Sequence, residues 1–181
     1  MARDRERILD AYLVASARLG DRESFANLVR RWNGKLVAHA WRLLRNRESA
    51  KDAVQESWAE MLRGLSRLRD EEAFAAWAYR IVSRRCARHI ARMKDDRRLA
   101  EEMAAAPADD GIAQAATPDV DALRRAIRAL PPEQQAAIAL FYLEEMSVAE
   151  VAVALDVPAG TVKTRLMHAR RKLRGAWEGD T

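Results

Sequence analysis

A capped, two-part helical pattern between Ser147 and Arg174 constrains the fold of this chain more than any other feature. Ser147 is followed three residues later by Glu150, the spacing of a capping box, and apolar residues then recur at helical intervals. Pro158 and Gly160 interrupt this periodicity, which resumes immediately afterwards. The segment therefore predicts a short helix, a turn and a second helix.

The second helix of this pattern has an apolar side and a basic side. Its apolar residues form one stripe, at intervals of four, three and four: Val162, Leu166, Ala169 and Leu173. Residues 161–174 contain six Lys or Arg and no acidic residue, so the helix attracts phosphate, and its N-terminal side chains can reach base edges in a major groove. A basic helix on a solvated surface is the alternative, but it does not explain the preceding capped helix and turn. The candidate DNA contacts are the outward residues Lys163, Thr164, Met167, His168, Arg170 and Arg171.

The segment from Leu130-Pro-Pro-Glu-Gln-Gln to Arg170-Arg171-Lys172-Leu173 resembles region four of bacterial sigma factors. It resembles the compact extracytoplasmic-function (ECF) group. The resemblance implies that the helix beginning Gly160-Thr-Val-Lys-Thr-Arg-Leu reads the minus-35 element of a promoter. It assigns base contacts to Lys163, Thr164, Met167 and His168.

The first half of the chain also has helical periodicity and no competing strand pattern. Gly20-Asp21 separates two predicted helices, and the apolar pattern of the second continues after Asn33-Gly34. Further helices are predicted over 47–65 and from about Glu71. The sequence thus predicts an all-α protein of two small helical domains, residues 1–98 and 121–181, joined by a linker over 99–120.

The predicted helix over 47–65 has an acidic face opposite its apolar stripe. Asp52 and Glu56 lie one turn apart with Gln55 between them, an arrangement suited to a basic, arginine-bearing partner helix. From the spacing alone, an ordinary solvated acidic face is the better explanation. However, Asp52-Ala-Val-Gln-Glu56 resembles the polymerase-binding motif of sigma region two, which implies that these three residues bind core RNA polymerase.

The segment Phe74-Ala-Ala-Trp77-Ala-Tyr79-Arg80-Ile81 resembles the promoter-opening part of sigma region two. The resemblance implies recognition of the minus-10 element, with an unstacked base captured by the loop 66–73. Residues 80–98 contain eight basic and two acidic residues, as a groove for melted DNA requires. We expect Trp77 in the core and Tyr79 at the wet surface. The candidate minus-10 contacts are Tyr79, Arg80, Arg84, Arg85, Arg88 and Arg92.

The linker is predicted from its composition. Residues 99–122 include six acidic residues, Pro107 and Pro118, and no Lys or Arg. Such a segment buries little apolar surface, so we expect its middle, residues 104–117, to be flexible and the domains to move freely in the unbound protein.

Several classes of protein are disfavoured by the sequence. The single cysteine, Cys86, excludes an internal disulfide, and its CxxH pairing with His89 lacks two further ligands at zinc spacing. We expect no metal and no cofactor, and no catalytic constellation of nucleophile, base and acid is recognisable. Without a signal peptide or an apolar run of membrane length, the protein is expected to be cytoplasmic with no membrane insertion.

The resemblance implies an alternative transcription initiation factor, not an enzyme, whose partners are core RNA polymerase, promoter DNA and a cognate anti-sigma factor. Two other functions stay open at this point. A sigma mimic that only sequesters an anti-sigma factor predicts loss of the basic faces. A plain helix-turn-helix regulator explains the second half but gives no purpose to residues 52–56 or 74–81.

Overall fold

The computed structural model describes residues 2–100 and 118–178, with side chains for 5–93 and 123–175, and every regular element in these ranges is helical. Short 3-10 turns at Leu65–Arg67 and Glu71–Ala73 connect the third and fourth helices, and a π turn over Ala139–Leu143 follows the sixth. The α-helices are α1 (Ala2–Arg18), α2 (Arg22–Leu44), α3 (Arg47–Gly64), α4 (Phe74–Ala100), α5 (Pro118–Arg128), α6 (Pro132–Ile138), α7 (Val148–Leu155) and α8 (Ala159–Glu178).

Local capping residues set the helix boundaries of the first half. Gly20 has a φ of 96°, which ends α1, and the Asp21 side chain accepts the Glu23 N–H at the start of α2. Asn46 caps α3 by accepting the Ser49 N–H. The expected separation at residues 20–21 is confirmed, and α2 then runs unbroken through positions 33 and 34.

The helices α1 to α4 enclose an apolar core rich in aromatic residues. Trp32 packs edge-to-face against Phe74, with ring centroids 5.4 Å apart. The predicted stripe on α3 is buried, as Val54, Trp58, Met61 and Leu65 all lie inside. These contacts leave the opposite side of α3 facing solvent.

The helix-turn-helix predicted in the second half is confirmed. Ser147 and Glu150 form a reciprocal capping box at the start of α7, and Pro158 lies in the turn before α8. The apolar stripe of α8 packs inward, with Val162, Leu166 and Ala169 buried. The outer face of α8 is therefore free to carry polar and basic side chains.

The two halves pack against each other in this structure. Helix α7 lies on α4 and α6 lies on α2, so that buried residues from both halves form one apolar cluster. The sequence predicted domains free to move, whereas the structure brings them into contact. Of the linker expected over 99–120, residues 99–100 end α4 and 118–120 begin α5; its remainder lies outside the described residues.

Candidate nucleic-acid interface

The outer face of α8 presents the residues that the sequence assigned to base contacts. Lys163, Thr164 and Met167 are exposed, and Met167 is apolar yet 57% accessible. His168 is half-buried, with Nδ1 3.3 Å from Nη2 of Arg171. The structure thus brings these side chains together on one surface, as expected.

Arg170 has a second set of contacts that the sequence pattern did not indicate. Its Nε donates to the Tyr142 hydroxyl at 2.8 Å, and its guanidinium lies 5.6 Å from the centre of the Tyr142 ring and 5.7 Å from that of Phe141. Both aromatic residues belong to the π turn. Arg170 therefore fixes the middle of α8 against the rest of its half through a hydrogen bond and cation–π contacts. The Phe141-Tyr142 pair was the only sequence signal, and it carries no helical spacing that points to Arg170.

The solvent side of α3 carries the candidate polymerase-binding residues. Asp52, Gln55 and Glu56 are all exposed on this side. Glu56 also pairs with Arg85 of α4, with 3.0 Å between Oε2 and Nη1. The group is therefore accessible to a basic partner, and one member is already oriented by an internal cation.

The arginines of α4 divide into two sets. Those nearer α3 pair with its acidic residues: Arg85 Nη2 lies 2.8 Å from Oε2 of Glu60, and Arg88 Nη2 lies 3.6 Å from the same oxygen. The Arg85 side chain is only 23% exposed and contacts two carboxylates. Its charge is thus largely compensated within the protein, which the sequence did not reveal.

The other set, Arg80 and Arg84, faces the second half of the chain. The Nε and Nη2 of Arg80 each lie 2.9 Å from Oδ1 of Asp156, and Arg84 Nε lies 3.9 Å from Oδ2. Asp156 is the residue that ends α7 in the helix-turn-helix. Arg92 is exposed farther along α4.

The expected surface position of Tyr79 is wrong in this structure, because Tyr79 is 1% exposed. Its ring packs edge-to-face on Trp32 and His39, and its hydroxyl hydrogen-bonds to Glu144 from the second half. Burial first, and then the Glu144 charge, raise the pKa of Tyr79 above its ordinary value. Trp77, expected in the core, is instead only half-buried.

Trp77 lies against the end of α3. A Cβ added at Gly64 would be 3.1 Å from its ring, so glycine permits this close approach. The loop 66–73 that follows contains the end of the first 3-10 turn and the whole of the second, and Asp70 accepts the Glu72 N–H at 2.9 Å. An ion pair between Arg18 and Glu71 fastens the loop to α1. These contacts give the loop expected to capture a base a defined shape.

The one cysteine of the chain is Cys86. Cys86 is buried, and burial raises the pKa of its thiol to about 12, so it stays protonated at neutral pH. Within residues 5–93 and 123–175, no group of three His, Cys, Asp or Glu side chains is placed to hold a metal ion. Among the helices that the structure describes, we find none with the length and hydropathy of a transmembrane span.

These features define a class: an all-helical protein with an acidic face on one half and a basic helix-turn-helix on the other, as expected of a transcription factor that contacts both protein and DNA. Comparison with known families makes the class specific. Residues 28–95 match sigma-70 region 2, and residues 121–173 match sigma-70 region 4.

Individual proteins that resemble this chain are also sigma factors. The chain is 35% identical over 164 residues to the ECF RNA polymerase sigma factor SigM of Mycobacterium tuberculosis, covering 91% of this chain and 82% of SigM. It is 27% identical over 173 residues to the ECF RNA polymerase sigma factor SigW of Bacillus subtilis, and the match covers 89% of this chain and 92% of SigW. The sigma factor RpoE of Bartonella quintana, whose structure was solved in complex with the anti-sigma factor NepR, has the same fold, with a TM-score of 0.72. The two sequences are 19% identical, and the match covers 88% of this chain and 99% of RpoE.

This chain therefore belongs to the ECF group of the sigma-70 family. It is an alternative transcription initiation factor that directs RNA polymerase to promoters.

Proposed function

We propose that the exposed face of α3 formed by Asp52, Gln55 and Glu56 is the surface that binds core RNA polymerase. The proposal rests on one observation: all three polar side chains are accessible to solvent, whereas the other side of the same helix is buried in the core. Carboxylates in this arrangement form charge-assisted hydrogen bonds with arginines of a partner helix. The pairing of Glu56 with Arg85 orients the carboxylate without covering it, since the Glu56 side chain is 58% exposed.

The two basic surfaces divide promoter recognition between them. The α8 face supplies base contacts from Lys163, Thr164, Met167 and His168, and Arg171 adds attraction for the phosphate backbone. The α4 face serves the minus-10 region through Arg80, Arg84 and Arg92, with a lesser share from Arg85 and Arg88, whose charges are compensated by α3. Tyr79 contributes by supporting α4 from the core.

Competition for core polymerase tests the α3 assignment. We expect the double variant Asp52→Lys/Glu56→Lys to bind core enzyme at least about tenfold more weakly, because each lost hydrogen bond to a charged group costs about 1.5–3 kcal/mol. The matched control, Glu23→Lys/Glu133→Lys, reverses two exposed acidic residues on other helices and should compete like the wild type. Circular dichroism verifies that both variants are folded. Equal competition by a fully helical Asp52→Lys/Glu56→Lys variant would refute the assignment.

The catalytic chemistry of transcription belongs, in this proposal, to the polymerase and not to this chain. A cognate anti-sigma factor is a further proposed partner, supported by the anti-sigma factor bound to the structurally similar RpoE. The sigma-mimic alternative is disfavoured because the basic side chains of α8 remain exposed. A plain helix-turn-helix regulator does not account for the match of residues 28–95 to sigma-70 region 2.

A further inference from the structure

The turn of the helix-turn-helix places a carboxylate on the basic face of α4. Asp156 Oδ1 lies 2.9 Å from both Nε and Nη2 of Arg80, and Oδ2 lies 3.9 Å from Nε of Arg84. These residues are 76 and 72 positions apart in the sequence, so the contact joins the two halves of the chain. It is made on the side of α4 that the proposed function gives to promoter DNA.

The backbone at Asp156 does not itself require a carboxylate. Asp156 has φ 55° and ψ 46°, the left-handed conformation in which a helix commonly ends. Glycine is the residue best suited to this position, and Asp and Asn are tolerated. The side chain of Asp156 is thus free of a local structural role in the turn, and the charge that it carries is directed at α4.

A carboxylate at this position satisfies the donors that would otherwise bind a phosphate oxygen. Guanidinium groups bind carboxylates and phosphates through the same N–H donors. Arg80 cannot direct Nε and Nη2 to Asp156 and to a DNA phosphate at the same time. Each hydrogen bond that Arg80 makes to Asp156 therefore excludes one to a DNA phosphate.

Other ion pairs across the interface have the same polarity. Lys35 Nζ lies 3.0 Å from Glu144 Oε2, and Arg7 Nη2 lies 3.7 Å from Glu150 Oε1. In each case the first half supplies the cation and the second half the carboxylate. The second half thus presents acidic groups toward α1, α2 and α4, while its basic helix, α8, packs against α5, α6 and α7.

We infer that Asp156 is an internal phosphate mimic: in the free protein it holds the helix-turn-helix against α4 and competes with promoter DNA for Arg80 and Arg84. This inference rests on the proposed DNA-binding role of α4. The closed arrangement pairs Arg80 and Arg84 with Asp156 but leaves Lys163, Thr164 and Met167 of α8 and the polymerase-binding face of α3 exposed. Core polymerase can therefore engage α3 while the contact is still closed, and the strand-opening surface becomes available when the halves separate.

The contact is weak enough to be displaced. The side chains of Arg80 and Asp156 are 46% and 42% exposed, so solvent screens their attraction. Exposed ion pairs of this kind change an equilibrium by about one- to fivefold. Asp156 thus biases the free protein against DNA without preventing opening on the polymerase.

Binding of the full-length protein to a short, fluorescently labelled single-stranded DNA, measured by anisotropy at low salt, tests the inference. We expect Asp156→Asn and Asp156→Gly to bind about two- to fivefold more tightly than the wild type. Both residues accept the left-handed conformation, so neither variant should unfold the turn. The matched control, Glu133→Gln, removes one exposed carboxylate from the same half and should leave the affinity unchanged.

Removal of the cations separates the inference from the proposed function. In an Arg80→Gln/Arg84→Gln background, the gain from Asp156→Asn should disappear. The inference fails if neither Asp156 variant binds more tightly than the wild type, or if Glu133→Gln gains equally, while the loss of Arg80 and Arg84 still weakens DNA binding. If the Arg80→Gln/Arg84→Gln variant binds DNA and initiates transcription like the wild type, the assignment of α4 to DNA fails as well.

Discussion

His39 couples the stability of the first half to pH. It is fully buried on α2, with Nε2 2.8 Å from the Ser83 hydroxyl of α4 and its ring 5.0 Å from that of Tyr79. Nδ1 has no hydrogen-bond partner among the described atoms, so a proton on Nδ1 would have no acceptor in the core. Desolvation first, and the nearby charge of Arg42 second, lower the pKa of His39 to about 3.

The consequence for stability follows from proton linkage. The ordinary pKa is 6.5, so between pH 6.5 and about 3 the unfolded chain binds a proton that the folded chain does not. The free energy of unfolding therefore falls as the pH falls through this window, by about 1.4 kcal/mol per pH unit at its steepest. Between pH 7 and 5.5, this single group accounts for a loss of about 1.3 kcal/mol.

Urea unfolding followed by circular dichroism at pH 7 and 5.5 measures this loss. We expect His39→Gln to be less stable than the wild type at pH 7, but to lose about 1.3 kcal/mol less on acidification, since the glutamine does not titrate. Leu36→Ala, which also destabilises the buried side of α2 but changes no titratable group, is the matched control and should keep the wild-type pH dependence. A His39→Gln variant whose stability falls with pH as steeply as that of the wild type would refute the reasoning.

Three further predictions concern α8. Alanine substitution of its base-reading residues should change the preferred sequence in a randomised minus-35 library, at about 1–3 kcal/mol per affected base pair, and an unchanged preference would remove α8 from this role. The substituted residues are Lys163, Thr164 and His168. By contrast, Arg171→Ala should weaken all sequences similarly and lower the salt dependence. Tyr142→Phe, which removes the hydroxyl bound by Arg170, should lower the free energy of unfolding by about 0.5–1.5 kcal/mol in urea, and no loss would argue against anchoring by this bond.

Features with a local cause were predictable from the sequence. The capping box at Ser147, the break at Gly20 and the buried stripe of α8 each depend on residues within a few positions of one another. Capping and helical periodicity act over that distance. The acidic face of α3 was placed correctly for the same reason, because its buried stripe fixes which way the rest of the helix faces.

Features that depend on packing between distant segments were not predictable. Tyr79 was expected at the surface, but α2 and Glu144 from the second half cover it. Periodicity identifies a face of a helix, not the number of neighbours that the face has. The ion pairs of Asp156 have the same origin, since a turn residue has no helical register and its partners lie in the other half of the chain.

The positive charge of α4 is compensated unevenly along the helix, and this explains how one turn residue can affect DNA binding. Arg85 is held between Glu56 and Glu60, and Arg88 lies near Glu60, so α3 already compensates much of the charge at these positions. The attraction of α4 for phosphate therefore depends most on the arginines that α3 does not reach. Arg80 and Arg84 belong to that set, and Asp156 contacts both. A single carboxylate thus acts on both of these arginines, although each ion pair by itself is weak.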